Sequence, residues 1–125
     1  MSGNRYLLDT NGIIALLQKD LSLVKLLQNA ERVGVSAIGQ IEFLAFSGLS
    51  EADLKLFQQF LRKVEVISLS SQNKLLIDRI ISIRQQYRLK LPDAIIAAMA
   101  IEQSAKLVTR DAQLYRITDL EIANW

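Results

Sequence analysis

The sequence contains neither cysteine nor histidine among its 125 residues. Without cysteine there is no disulfide framework and no thiolate zinc site, which fits a cytosolic protein. Without histidine there is no imidazole general base, no Ser-His-Asp or Cys-His arrangement, and no imidazole ligand for a transition metal. Any catalysis must therefore come from carboxylates, lysine, tyrosine, hydroxyls or a metal ion held by oxygen atoms.

Proline, glycine and long apolar runs are also scarce. One proline and five glycines accompany 50% hydrophobic residues, a composition that argues against linkers and disorder. The chain has no run of eighteen apolar residues and no signal-peptide pattern at its start, so we expect neither membrane association nor export. Its length predicts one domain, residues 1–125.

Short apolar runs alternate with helical patterns along the chain. Strands are predicted over residues 5–8, 32–36, 64–69, 106–109 and 120–123. Helices are predicted from near Ile13, from Asp20 or Ser22, over 38–47, from a capping box at Ser50 to 63, and from Ser70 or Ser71 to 87. This alternation predicts an α/β domain whose mainly parallel central sheet has helices on both faces. Such folds bind ligands beyond the carboxyl ends of the strands, where the strand order reverses.

The most apolar predicted helix begins at Leu91-Pro92-Asp93. Pro92 suits the first helical turn, and residues 94–101 are apolar on every side, which indicates a helix packed inside the protein. Asp93 therefore places a carboxylate at the edge of the core. It either caps its helix, where the helix dipole favours an anion, or belongs to a buried polar site.

Most of the thirteen acids have a structural explanation as caps, first-turn residues or members of a solvated face; Asp78 is an example of the last. Three aspartates do not sort this way. Asp9 and Asp111 each follow a predicted strand, and Asp93 opens the buried helix. Because acids are rarely buried without a partner, these three are candidates for a shared site.

Glu42 is the fourth unexplained acid. It shares a helix face with Ile38, Ile41 and Ala45, which we interpret as the core side. If the four carboxylates meet in one crevice, their mutual repulsion calls for a hard cation, and an all-oxygen pocket suits Mg²⁺ or Mn²⁺. The alternative is that the four acids cap separate elements and never meet.

The residues just described give the chain a resemblance to the PIN-domain family and, within it, to the small VapC-type toxins of bacterial toxin–antitoxin pairs. The matching segments are Tyr6-Leu7-Leu8-Asp9-Thr10-Asn11, Ile41-Glu42, Leu89-Lys90-Leu91-Pro92-Asp93-Ala94 and Thr109-Arg110-Asp111. No single motif is specific, but their order and spacing agree across nearly the whole chain. One departure is Leu114-Tyr115, where many members have a phenylalanine.

The resemblance implies a function and a site. It implies a Mg²⁺- or Mn²⁺-dependent endoribonuclease, commonly a homodimer and inhibited by a cognate antitoxin protein. Attack by a metal-activated water would leave a 5′-phosphate. The metal-binding and catalytic positions carried over are Asp9, Glu42, Asp93 and Asp111, with Asn11 and Thr109 as supporting polar residues.

Basic residues crowd the proposed site in sequence. If a metal ion neutralises four acids, 15 lysines and arginines face the nine acids that remain. This excess could hold an RNA backbone, or it could be ordinary solvated surface. The candidate RNA-binding residues are Arg84, Arg88, Lys90, Arg110 and Arg116.

All four phenylalanines lie within eighteen residues, on two adjacent predicted helices. Together with the wide apolar face of the second helix, they predict a dimer or antitoxin surface. The competing interpretation is a locally aromatic core. The phenylalanines in question are Phe43, Phe46, Phe57 and Phe60.

Two other classes of function stay open. A catalytically silent interaction module could keep the fold without the chemistry. A phosphoacceptor regulatory domain could also bind Mg²⁺ through an acidic cluster. That second class would require paired acids early in the chain and a lysine at a strand end, and neither is evident here.

Overall fold

The structure, a computed structural model, describes residues 4–125. Strands and helices alternate along this range, as predicted. The elements are β1 (Arg5–Leu8), α1 (Thr10–Leu17), α2 (Leu21–Leu27), β2 (Arg32–Ser36), α3 (Ala37–Leu44), α4 (Glu51–Leu61), β3 (Glu65–Ile67), α5 (Lys74–Tyr87), α6 (Leu91–Glu102), β4 (Lys106–Val108), a 3-10 helix (Ala112–Arg116) and β5 (Ile122–Ala123).

The five strands form a parallel sheet in the order β3-β2-β1-β4-β5. The predicted parallel α/β architecture is confirmed. β1 lies at the centre, with β2 on one side and β4 on the other, so the strand order reverses between β1 and β4. Leu8 pairs with Val108, which brings the carboxyl ends of these two strands side by side. This is the position where parallel α/β folds place their ligands.

Side chains of β1 alternate between two hydrophobic cores, one on each face of the sheet. Leu7 packs with residues of α5 and α6, whereas Tyr6 and Leu8 pack with residues of α1 to α4. Because successive residues of a strand point to opposite faces, one central strand anchors both helical layers. The predicted arrangement of helices on both faces is therefore confirmed.

Helix α6 is the buried helix that the sequence predicted. Its residues 94–100 are all buried, and Pro92 occupies its first turn. The N-terminus of α6 carries Asp93 to the edge of the sheet where β1 and β4 end. Within residues 4–125, no helix combines the length and the apolar character needed to cross a membrane.

Two helices begin at other residues than predicted, because a different side chain caps each of them. Helix α1 begins at Thr10 rather than near Ile13, since the Asp9 carboxylate accepts a hydrogen bond from the Gly12 N–H. Helix α5 begins at Lys74, and Asn73 rather than a serine is its cap. The strands predicted over 64–69 and 120–123 shorten to three and two residues.

Three of the four phenylalanines belong to the core. Phe43, Phe57 and Phe60 are buried, and the rings of Phe43 and Phe57 stack with their centroids 4.1 Å apart. Phe46 is 65% exposed. The aromatic-core interpretation is thus correct for three rings, and only Phe46 remains available to a partner.

Candidate functional site

Asp9 lies directly beyond β1 and is buried, with a relative exposure of 9%. Its carboxylate accepts a 2.7 Å hydrogen bond from the Gly12 N–H, which fixes it at the start of α1. Burial raises the pKa of the Asp9 carboxyl above its ordinary value, hydrogen bonds from the Thr109 side chain and the Gly12 backbone oppose this rise, and the charges of Asp111 and Asp93 add to it. Asp9 is therefore a carboxylate held in place among other carboxylates.

Asp111 lies three residues beyond the end of β4 and is half-buried. Its N–H donates to the Thr109 hydroxyl at 3.0 Å, and its Oδ1 atom accepts from the Gln113 N–H at 3.0 Å. Thr109 is fully buried and bonds to both Asp9 and Asp111. The structure thus places the predicted supporting residue Thr109 between two of the predicted acids.

Asp93, in the first turn of α6, has its pKa set by burial and charge. Burial raises the pKa of its carboxyl above the ordinary value, as do the charges of Asp111 and Glu42, while Lys90 lowers it. Lys90, the residue before α6, makes no side-chain cap to the helix. Despite its favourable place at a helix N-terminus, Asp93 is a carboxylate whose negative charge is disfavoured by its surroundings.

Glu42 is not on the core side of α3, so that part of the prediction is wrong. Glu42 and Ala45 are exposed, and Ile41 is 61% exposed. The buried face of the helix consists of Gly39 and Phe43. Since both faces of α3 carry apolar residues at helical spacing, periodicity did not distinguish them. The Glu42 carboxylate nevertheless turns toward α1, where Thr10 Oγ1 donates to its Oε1 atom at 2.8 Å.

The four predicted acids line a single cavity of about 160 Å³, together with Thr10, Asn11 and Ser36. We call it the acidic cavity. The atoms with which these acids could bind a metal ion are all oxygens. The ion pair that the described residues contain, Arg32–Glu65 at 3.8 Å, lies elsewhere. The donor type fits Mg²⁺ or Mn²⁺. As they stand, however, no three acids within residues 4–125 are arranged to hold a metal ion, so binding would require these side chains to draw together.

A second cavity, of about 270 Å³, adjoins the acidic cavity. Thr10 and Glu42 line both, so their hydrogen bond forms part of the wall between them. We call the second cavity the apolar groove. Sequence reasoning did not identify it as a groove, although the phenylalanines of α3 pointed to the region. Its other lining residues are Ile14, Leu17, Gln18, Phe43, Phe46, Leu49, Asp53 and Leu56.

The five basic candidates divide into two groups. Arg84, Arg88 and Lys90 are exposed on and after the last turns of α5, just before α6 begins. The other two are also exposed, but their side chains make hydrogen bonds to the backbone of the same chain. Arg110 donates to the Trp125 carbonyl oxygen, and Arg116 donates to the carbonyl oxygens of Gln113 and Tyr87.

The PIN domain family model matches residues 6–120 of the sequence, a range that includes all four acids. The chain belongs to the PIN domain family. Comparison of the sequence with curated proteins gives no match.

Several solved structures are similar to this PIN domain. A toxin-antitoxin complex from Klebsiella pneumoniae is 27% identical, with a TM-score of 0.74 over 94% of this chain and 99% of that one. VapBC-1 from nontypeable Haemophilus influenzae is 26% identical, with a TM-score of 0.76 over 97% and 98% of the two chains. VapBC2 from Rickettsia felis, bound to a DNA fragment from its promoter, is 24% identical, with a TM-score of 0.79 over 97% and 98%.

Proposed function

We propose that this PIN domain is a Mg²⁺- or Mn²⁺-dependent endoribonuclease, the toxin of a toxin–antitoxin pair. The observation that carries the proposal is the acidic cavity. Four carboxylates from separate parts of the chain line it, and burial and mutual repulsion raise the pKa values of Asp9 and Asp93. Acids that only cap separate helices would have no reason to line one cavity, where they repel one another. A bound hard cation would offset this repulsion.

Three of the four carboxylates are oriented by hydrogen bonds. The Gly12 N–H holds Asp9, the Gln113 N–H holds Asp111, and the Thr10 hydroxyl holds Glu42. When bound, a divalent ion would stabilise negative charge on the phosphodiester and activate a water molecule for hydrolysis. The residues that would hold it are the four acids, and the backbone and hydroxyl donors orient three of them.

The RNA backbone requires positive charge near this cavity. Lys90 is close enough to Asp93 to lower the pKa of its carboxyl, and it is exposed. Arg84 and Arg88 are exposed on the same stretch of chain. Because Arg110 and Arg116 are bonded within the protein, we assign the phosphate contacts to the other three residues.

Incubation of the protein with RNA, in Mn²⁺ and in EDTA, tests the proposed activity. We expect cleavage in Mn²⁺, none in EDTA, and 5′-phosphate ends on the products, since an activated water attacks the phosphorus atom. Intact RNA in Mn²⁺ would favour a catalytically silent interaction module. Incorporation of phosphate into the protein from a small phosphodonor, without RNA cleavage, would favour the phosphoacceptor domain.

We also propose that the face formed by α3 and α4 binds protein partners, the antitoxin and a second copy of the chain. The support is the exposed apolar surface here: Phe46 and Leu56, which line the apolar groove, are 65% and 40% exposed, and Ile41 on α3 is 61% exposed. Large exposed apolar side chains that cluster at a groove are typical of partner surfaces. One of the similar structures is a toxin-antitoxin complex.

Phe46→Asp is expected to convert a homodimer into a monomer, because a charge placed at an apolar contact would be buried unpaired. Light scattering on the wild type and the variant measures this directly. Leu75→Asp, at an 82% exposed position on α5, is the matched control and should leave the mass unchanged. A wild-type monomer would remove the dimer proposal, and a Phe46→Asp dimer would place the contact on another face.

A further inference from the structure

The backbone pairing beside Asp111 ends before it reaches the site. β4 and β5 pair at two positions, Leu107 with Ile122 and Val108 with Ala123. One more backbone hydrogen bond, from the Thr109 N–H to the Ala123 carbonyl oxygen, is long at 3.4 Å. A two-residue edge strand is a weak anchor, so other contacts must fix the chain between β4 and Asp111.

Beyond the last β4–β5 pair, side-chain contacts join the segment after β4 to the segment after β5. The Arg110 guanidinium donates from Nε and Nη2 to the Trp125 carbonyl oxygen, at 3.2 and 2.7 Å, and its Cζ atom lies 4.3 Å from the centroid of the Trp125 ring. In parallel, Asn124 Nδ2 donates to the Tyr115 hydroxyl at 2.9 Å, and that hydroxyl donates to the Thr109 carbonyl oxygen at 3.4 Å. We call the Arg110–Trp125 contact the clasp.

We infer that Arg110 and Trp125 are positioning residues that hold Asp111 at the acidic cavity; the inference rests on the proposed function of that cavity. Arg110 is adjacent to Asp111 in sequence yet does not line the cavity, because its guanidinium is turned to Trp125. The paired hydrogen bonds and the ring contact together fix the guanidinium in one place. Asp111 is then restrained on one side by the clasp and on the other by its cap to the 3-10 helix.

Trp125 contacts the Arg110 guanidinium through the face of its indole ring. Trp125 Nε1 is buried and, within residues 4–125, has no hydrogen-bond partner. The N–H of the ring therefore adds nothing to the clasp, and a phenyl ring at this position would keep the cation–π contact in weaker form. This gives a conservative variant that separates the clasp from the general effect of a mutation.

The test is the affinity of the protein for Mn²⁺ alone, measured by electron paramagnetic resonance of the free ion. Arg110→Gln is expected to weaken Mn²⁺ binding about tenfold, since outer contacts of metal ligands change affinity by roughly 10- to 100-fold. Trp125→Leu removes the ring contact but leaves the backbone oxygen that accepts the two hydrogen bonds, so a smaller, several-fold loss is expected. The double variant should bind no more weakly than Arg110→Gln, because that substitution already removes the ring contact along with the two hydrogen bonds. Trp125→Phe should bind nearly as the wild type does.

Arg79→Gln is the matched control for loss of one positive charge, since Arg79 is exposed on α5. It should leave the Mn²⁺ affinity unchanged. If Arg110→Gln fails to fold, Arg110→Lys keeps the charge but not the paired hydrogen bonds, and a several-fold loss of affinity is expected for it.

Three results would overturn the inference. If Arg110→Gln raises the KM for RNA without changing Mn²⁺ affinity, the residue contacts RNA. If the variants melt at lower temperature but bind Mn²⁺ as the wild type does, the clasp is only structural. If the two single-variant losses add in the double variant, the residues act separately. A wild type that binds no Mn²⁺ would instead reject the proposed function itself.

Discussion

Asp9→Asn, Asp93→Asn and Asp111→Asn are each expected to reduce Mn²⁺-dependent RNA cleavage about 1,000-fold. Each substitution removes one negative oxygen ligand from a cavity with no nitrogen or sulfur donor to replace it. Stabilisation by a bound divalent ion amounts to several kcal/mol, and about 4 kcal/mol corresponds to three orders of magnitude in rate. The measurement is the cleavage rate at saturating RNA, with the Mn²⁺ concentration varied.

The control for this experiment is Asp78→Asn. Asp78 is exposed on α5 and does not line the acidic cavity, so the same chemical change is made away from the site. Its cleavage rate should equal that of the wild type. Equal losses in Asp78→Asn and Asp93→Asn would mean that general surface charge, rather than the acidic cavity, determines the activity.

Asp93→Asn is expected to raise the melting temperature in EDTA and to shrink the gain that Mn²⁺ gives. The unfavourable surroundings of its charge, burial and then the charges of Asp111 and Glu42, are relieved when the side chain is neutral. Solvent screens this partly exposed carboxylate, so we expect a relief below about 1 kcal/mol, which corresponds to a rise in melting temperature of up to about 4 °C. A metal ion that binds only the folded state stabilises the wild type by about 2.7 kcal/mol at 100 times its Kd.

The effect of Asp93→Asn depends on pH in a defined direction. The pKa of this carboxyl is raised on folding above its ordinary value of 3.8. In the absence of metal, the stability associated with the protonated group is therefore present below about pH 3.8 and is lost as the pH rises through the raised pKa. The stabilisation by Asp93→Asn should be negligible at pH 3.5 and full at neutral pH. Thermal melts of both proteins, in EDTA and in Mn²⁺, measure it.

A purely structural Asp93 would give the opposite pattern. If its charge mainly stabilised the N-terminus of α6, Asp93→Asn would lower the melting temperature in EDTA. It would also leave the response to Mn²⁺ intact. That pair of results would remove Asp93 from the site, and the function of the acidic cavity would then rest on three acids.

Much of the fold follows from local pattern. Apolar runs located the strands, the uniformly apolar stretch located α6, and the capping box located the start of α4 at Ser50 and Asp53. Helix starts were less predictable, because several neighbouring polar residues compete as caps. Asp9 accepts from the Gly12 N–H, so α1 starts earlier in the chain than predicted. Asn73 caps α5 in place of the expected serine, so that helix starts later than predicted.

The site was predictable where acids follow strands, because parallel strands bring their carboxyl ends to one edge. Asp9 and Asp111 lie there as expected. Helix periodicity was less informative for Glu42, since an apolar face can line an exposed groove as well as the core. The contacts of Arg110 with Trp125 and of Arg116 with Tyr87 were unpredictable, because they join residues distant in sequence.

The pairing of β1 with β4 has a consequence for the order in which the protein is made. Leu8 and Val108 are neighbours in the sheet but lie far apart in sequence, so Leu8 leaves the ribosome long before Val108 does. Contacts between residues so distant in sequence form late in folding, after a costly loop closure. A nascent chain interrupted before β4 carries three of the four acids, yet it lacks both Asp111 and the strand beside Asp9. Translation products that end before β4 would therefore lack the assembled cavity, so the proposed activity requires a chain that extends at least through Asp111.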